Sequence, residues 1–183
     1  MRERQSVLKL LRSDYTRHGS RLTNPALWAV WNYHFGVWAA NRRFPPFRWM
    51  LLRCYSWNLF LVLITSGICL YRETEIGADL HLIHSGNIQI HPRAIVGARC
   101  GIQQDVTIGT NMGTGVPVIG DDVYIGAGAK LLGDITIGDG AVIAANSLVI
   151  SDVPPHTTAI GVPARVWKQP AAGKQARGQQ KAR

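Results

Sequence analysis

The stretch IGDDVYIGAGAKLLGDITIGDGAVIAANSLVI, residues 119–150, decides the fold. An aliphatic residue returns at every sixth position: Ile119, Ile125, Leu131, Ile137, Ile143 and Val149. Glycine follows directly at 120, 126 and 138. A second series in the same period, Val123, Ala129, Ile135, Ala141, Ser147 and Val153, is small or β-branched throughout. A helix turns every 3.6 residues and a strand alternates every two, so neither keeps a period of six on one face. A short strand plus a corner does. Repeated, that unit makes a solenoid whose aliphatic side chains stack inward as ladders.

The period continues upstream with two interruptions. Ile90, Val96, Ile102 and Ile108 form one register; Ile76, Leu82 and Ile88 form another, offset by two residues. The offset predicts a bulge between Gly86 and His91. From Ile108 to Ile119 the spacing is one hexad plus a five-residue excursion through TNMGTGVP, residues 110–117, which predicts a surface loop. About twelve hexads are expected in all.

Before residue 70 the pattern is helical. Residues 6–17 carry Val7, Leu8, Leu10 and Leu11 among basic residues, and Gly19 marks a stop. Asn24-Pro25 reads as an N-cap followed by proline at the first helical position. Leu27, Trp28, Trp31, Phe35 and Trp38 then suggest an apolar face at helical spacing. Pro45-Pro46 reads as a break, with a third helix over about residues 47–65. Residues 54–70 hold no charge, but Ser56, Asn58, Thr65, Ser66 and Gly67 interrupt them, which favours a buried or membrane-lying helix over a membrane span. The expected organisation is a helical arm over 1–70, a solenoid over 71–166 and a disordered basic tail over 167–183.

The composition excludes several classes. Of 183 residues, 46% are hydrophobic and only 17% charged, against a wholly disordered chain or a coiled coil. Cys54, Cys69 and Cys100 form no CxxC pair, against a disulfide scaffold or a structural zinc, and no His/Cys/Asp cluster has metal-ligand spacing. A reducing compartment fits, and the charged opening lacks the apolar run of a secretory signal. The net charge of +9 divides into +8 over residues 1–53, −4 over 54–166 and +5 over 167–183. Basic ends point to a membrane surface, a phosphorylated cofactor or a nucleic acid. No nucleic-acid-binding motif accompanies the charge, so nucleic acid is the weakest of these.

The motifs IHSGNIQIHPRAIVGARCGIQQDVTIG (83–109), IGDDVYIGAGAKLLGDITIGDGAVIAANSLVI (119–150) and PPHTTAIGVPARV (154–166) resemble the hexapeptide-repeat acyltransferases, and within them the serine acetyltransferase family. That resemblance implies a mainly β fold, a left-handed parallel β-helix of about four coils behind a short α-helical arm. It also implies a homotrimer with sites in the clefts between prisms, and acetyl-CoA as co-substrate.

In that family a histidine deprotonates the acceptor hydroxyl, which attacks the thioester directly; the matching position is His84. Imidazole suits the task because its pKa lies near neutrality. For the donor, GAGAK (126–130) and AANS (144–147) put Gly126, Ala127, Ala144 and Ala145 where the family lays the pantetheine arm. Small residues would equally suit tight corners. Lys130 and Arg165 are cations suited to CoA phosphates. Three positions depart from the amino-acid-specific members. Ile83 replaces an acid, Cys69 stands at the place of the histidine-orienting aspartate, and the 110–117 loop carries no histidine. Glu73, Glu75 or Asp79 could replace the missing partner, or His84 works against a backbone carbonyl.

The expected function is acetyl-CoA-dependent O-acetyl transfer with His84 as base. The acceptor is expected to be a sugar hydroxyl of an exopolysaccharide or its precursor, as in the short exopolysaccharide-type members the chain resembles. Serine O-acetylation for cysteine synthesis and a catalytically silent hexapeptide-repeat scaffold are the alternatives. A cytoplasmic location is expected, with peripheral contact at the inner face of the membrane suggested by the basic, aromatic arm. No nucleic-acid partner is expected.

Overall fold

The computed structural model describes residues 7–113 and 115–168. Three helices come first: α1 (Val7–Arg17), α2 (Pro25–Ala40) and α3 (Pro45–Ser66). Two-residue and three-residue strands then wind into three parallel sheets. Sheet I contains β1 (Glu75–Ile76), β4 (Ile95–Val96), β7 (Val118–Ile119) and β10 (Thr136–Ile137). Sheet II contains β2 (His81–Leu82), β5 (Gly101–Ile102), β8 (Tyr124–Ile125) and β11 (Val142–Ile143). Sheet III contains β3 (Gln89–Ile90), β6 (Thr107–Gly109), β9 (Lys130–Leu132) and β12 (Leu148–Val149). Each coil takes one strand from each sheet, giving four coils from twelve hexads. Sheet II continues into an antiparallel hairpin of β13 (Thr157–Gly161) and β14 (Ala164–Lys168). β14 includes Trp167 and Lys168, the first two residues of the expected tail; residues 169–183 lie outside the described residues.

Both ladders point inward as their period predicts. Ile119, Ile125, Leu131, Ile137, Ile143 and Val149 are buried, and so are Val123, Ala129, Ile135, Ala141, Ser147 and Val153. The upstream offset is resolved differently from the expectation. Ile88 is not the partner of Ile76 and Leu82; it joins the companion series that runs through Ala94, Cys100 and Val106, while Ile90 pairs in register with Ile108. The two extra residues therefore lie earlier, in the corner 83–87.

The arm closes the open end of the first coil. Backbone N–H groups of β1, β2 and β3 alternate between coil 2 and the end of the solenoid, and the outward ones need acceptors. The Ile76 N–H donates to Tyr33 Oη (3.3 Å), the Leu82 N–H to His18 Nε2 (3.2 Å), and the Ile90 N–H to the Cys69 carbonyl (3.3 Å). Each side of the prism receives one cap from a different part of the arm. Cys69 pairs with Gln89 as a parallel bridge, so sheet pairing begins just before the expected boundary at residue 71.

Two helical expectations change. Asn24 caps α2 as predicted, its Oδ1 accepting from the Ala26 N–H (3.0 Å). The buried face, however, is Ala26, Leu27, Ala29, Val30, Tyr33 and Ala39, and Trp28 is half exposed on the other side. Small residues let α2 approach the prism closely, and Tyr33 carries the hydroxyl that coil 1 needs. Pro45-Pro46 opens α3 rather than only breaking α2, since its first turn needs no N–H donors. Among the described residues, no helix is long and apolar enough to cross a membrane.

Candidate active site

One edge of the prism, between sheets II and III, carries most of the expected site. It is built from the corner of each coil: residues 83–87, then 103–105, 126–128 and 144–146. Coils stack at about 4.8 Å, so Ala127 lies about two rises from His84 and Ala145 about three. The sequence-predicted base and the residues expected to line the donor groove thus share one edge. The corner holding His84 is two residues longer than its neighbours, which lifts the side chain into solvent.

The small residues divide into two kinds. A Cβ on Gly126 would meet the backbone of the next coil, 2.6 Å from Ala145 N and 3.0 Å from Ile143 O, so stacking alone requires glycine there. Ala145 is exposed, and Ala127 and Ala144 are half-buried with their methyl groups outside the prism ladders. Stacking does not demand their size, and they keep the edge low enough for a ligand to lie along it. Lys130 is already engaged: its Nζ donates to the Asp105 carbonyl (2.6 Å) and Thr107 Oγ1 (3.0 Å). Arg165 is exposed on β14, opposite Ile160 and beyond coil 4.

Around His84 the aspartate question resolves negatively. Among the described residues, no side chain hydrogen-bonds or ion-pairs with it. Glu73 is held by Arg72 (2.7 Å), Asp79 accepts from the Ser13 hydroxyl, and Glu75 is exposed on sheet I, away from this edge. Cys69 is buried outside the prism, with its thiol against Tyr71, whose phenol it pushes up in pKa.

Beneath this corner lies a cluster that the periodicity could not reveal. His18 is buried, and both ring nitrogens are used: Nδ1–H donates to the Asp14 carbonyl (2.8 Å) and Nε2 accepts from the Leu82 N–H. That fixes the neutral tautomer. Burial pushes its pKa down, partly countered by the Asp14 carbonyl. The His81 ring meets it edge-on at 5.3 Å and is also pushed down, mainly by burial and then by His18 and Arg17. Asp14 is buried, its Oδ2 lying 3.2 Å from His34 Nε2 without the alignment of a hydrogen bond. The Asp-x-x-x-His spacing of Asp14 and His18 was the one available signal. His81 and His18 belong to the docking of α1, two residues before His84 in the chain.

Two glutamines on the same edge were also missed. Gln103 Oε1 accepts from the Ala127 N–H (3.0 Å) and ties coil 2 to coil 3. Gln104 sits over Gly86, whose carbonyl accepts from the Asp105 N–H, and its own Oε1 is buried without a partner. Cys100 is no rival nucleophile: burial pushes its thiol up to about 11. Among the described residues, no group of three or more His, Cys, Asp or Glu could hold a metal ion.

The hexad solenoid thus carries an exposed histidine and a row of small side chains along one edge. The family "Bacterial transferase hexapeptide (six repeats)" matches residues 117–151. A serine acetyltransferase of Escherichia coli (strain K12) is 41% identical over 119 residues, 62% of this chain and 42% of that protein. That of Mycobacterium tuberculosis (strain ATCC 25618 / H37Rv) is 34% identical over 157 residues, 81% of this chain and 64% of that one. A solved serine acetyltransferase in complex with CoA superimposes with a TM-score of 0.71 at 25% identity, over 86% of this chain and 66% of its own. Over its solenoid the chain is similar to the serine acetyltransferases of the hexapeptide-repeat proteins. It spans less than half the length of the Escherichia coli relative it matches.

Proposed function

We propose that the protein transfers an acetyl group from acetyl-CoA to a hydroxyl, with His84 as general base. The observation that carries this reading is the shared edge: His84 stands in line with Ala127, Ala144 and Ala145, at the foot of a groove a thioester arm can follow. His84 takes the hydroxyl proton as the oxygen attacks the acetyl carbon. The C–S bond breaks, and the proton passes to the departing CoA thiolate. Ala127 and Ala145 flank the donor, and Arg165 is free to meet its phosphates; Lys130 contributes its charge while bonded to Asp105 and Thr107. Gly126 serves coil stacking.

L-Serine is the acceptor that the relatives' names support. A sugar hydroxyl of an exopolysaccharide precursor is the second reading. It is favoured by Ile83 and Cys69, apolar or neutral where an amino-acid site would present acids. A homotrimer with sites in the clefts between prisms is the assembly that fits this reading. A cytoplasmic location is consistent with acetyl-CoA as donor.

The test is CoA release by the purified full chain, with L-serine and a panel of sugar acceptors, and product mass. Serine-dependent release giving O-acetylserine supports the first reading; release with sugars alone supports the second. No release with any hydroxyl, from a folded protein that binds CoA, would leave a silent scaffold.

A further inference from the structure

The helix α3 presents an apolar face to the outside. Of its 22 residues only Leu51, Tyr55 and Ser66 are buried. At 100° per residue, Trp49, Arg53, Trp57, Phe60 and Ile64 fall within an arc of about 80° on the opposite side. Trp49 and Trp57 are each 67% exposed and Ile64 61%. These side chains are ordered among themselves: Trp57 and Phe60 meet edge to face at 6.2 Å, and the Arg53 guanidinium lies 5.8 Å from the Trp49 ring. Leu61, also exposed, joins the face to a groove of about 450 Å³ between α2 and α3, lined by Trp28, Trp31 and Phe35. A helix apolar on both faces needs a cover on each.

Charge selects the cover. Between Asp14 and Glu73 there is no acidic residue, while Arg17, Arg21, Arg42, Arg43, Arg48, Arg53 and Arg72 lie in that span. A symmetric contact between copies through α3 would set arginine against arginine with no carboxylate between Asp14 and Glu73 to neutralise them. An anionic surface has the opposite effect. Tryptophan is favoured at headgroup depth, and arginine can keep its guanidinium among phosphates while its stem lies on apolar surface.

We propose that the outer face of α3 docks on an anionic phospholipid bilayer, lying in its plane. Trp49, Trp57, Phe60 and Ile64 rest at the headgroup–acyl boundary, and Arg43 and Arg53 sit among the phosphates. The solenoid edge that carries His84 then works beside the membrane.

The test is co-sedimentation of the full chain with vesicles of phosphatidylcholine alone or with about one-third phosphatidylserine. Neither acetyl-CoA nor an acceptor is needed, so the result is independent of acetyl transfer. Binding is expected on the anionic vesicles, weakening as salt rises. The double variant Arg43→Glu/Arg53→Glu should lower the partition coefficient by about tenfold or more. Trp57→Gln/Phe60→Gln should also weaken binding, with circular dichroism and light scattering unchanged because both positions are exposed. The proposal is overturned by no binding to anionic vesicles at low salt, or by equal binding to both compositions. It is equally overturned if Trp57→Gln/Phe60→Gln breaks an oligomer of the wild type, since the face is then covered by copies of the chain.

Discussion

Replacing His18 by leucine removes the acceptor for the Leu82 N–H at the open end of sheet II. Leu82 is fully buried, so that donor has no route to water. A buried donor left unpaired costs about 1–3 kcal/mol. For a domain of this size, each kcal/mol lowers Tm by about 2–4 °C. His18→Leu should therefore melt about 2–12 °C below the wild type near neutral pH. The same bond makes stability depend on pH, because protonating Nε2 removes the lone pair that Leu82 uses. Burial holds the folded-state pKa of His18 below its ordinary 6.5. The folded state thus binds fewer protons than the unfolded chain. Its advantage is complete above pH 6.5 and is lost as pH falls from there through the folded value, with a slope of at most about 1.4 kcal/mol per pH unit for one site. His81 is shifted the same way and adds to the slope. Urea unfolding from about pH 8 to about pH 5 measures both effects. Should His18→Leu match the wild type at the alkaline end and lose stability equally on acidification, the capping role assigned to His18 is wrong.

His84→Ala should lower turnover by about 10²–10⁴ while CoA binding, followed by calorimetry, stays nearly unchanged; near-normal turnover would exclude His84 as base. Ala145→Trp should weaken CoA binding with Tm unchanged, because Ala145 is exposed. Gly126→Ala should instead lose about 1–3 kcal/mol by overpacking against coil 4, read from thermal melts. Gln104→Leu should leave stability equal or slightly higher in thermal melts, since it removes a buried acceptor without a partner; a clear loss of stability would refute this.

The solenoid was legible because its contacts are local in period: each side chain repeats the environment of one a few hexads away, and the ladders announce themselves. The corner of His84 was nearly so. The two-residue offset was visible, but Ile88 fits either ladder by composition, and only pairing of Ile90 with Ile108 settles which corner holds the insertion. The arm was less readable. Trp28 and its aromatic companions outweigh alanines in any hydrophobicity pattern, yet α2 turns its small residues inward because close approach to coil 1 matters more than apolar bulk. The caps from Tyr33 and His18 join residues 43 and 64 apart in the chain, and no local pattern encodes such a pair. Gln104 was missed because a glutamine at a corner looks like any solvated corner until its oxygen is found buried.

The three caps on coil 1 bear on how the chain comes to be built. Every later coil finds a finished row of strands beneath it, whereas the first has only what the arm offers: a phenol, an imidazole and one carbonyl, spaced to match three sides of a triangle. The arm precedes the solenoid in synthesis order, so its acceptors can be in place when coil 1 emerges. Winding can then proceed in one direction, each turn laid on the last. Lengthening the prism by a whole coil between coils 3 and 4 would leave that starting block untouched, whereas removing the arm would leave the first turn nothing to wind upon.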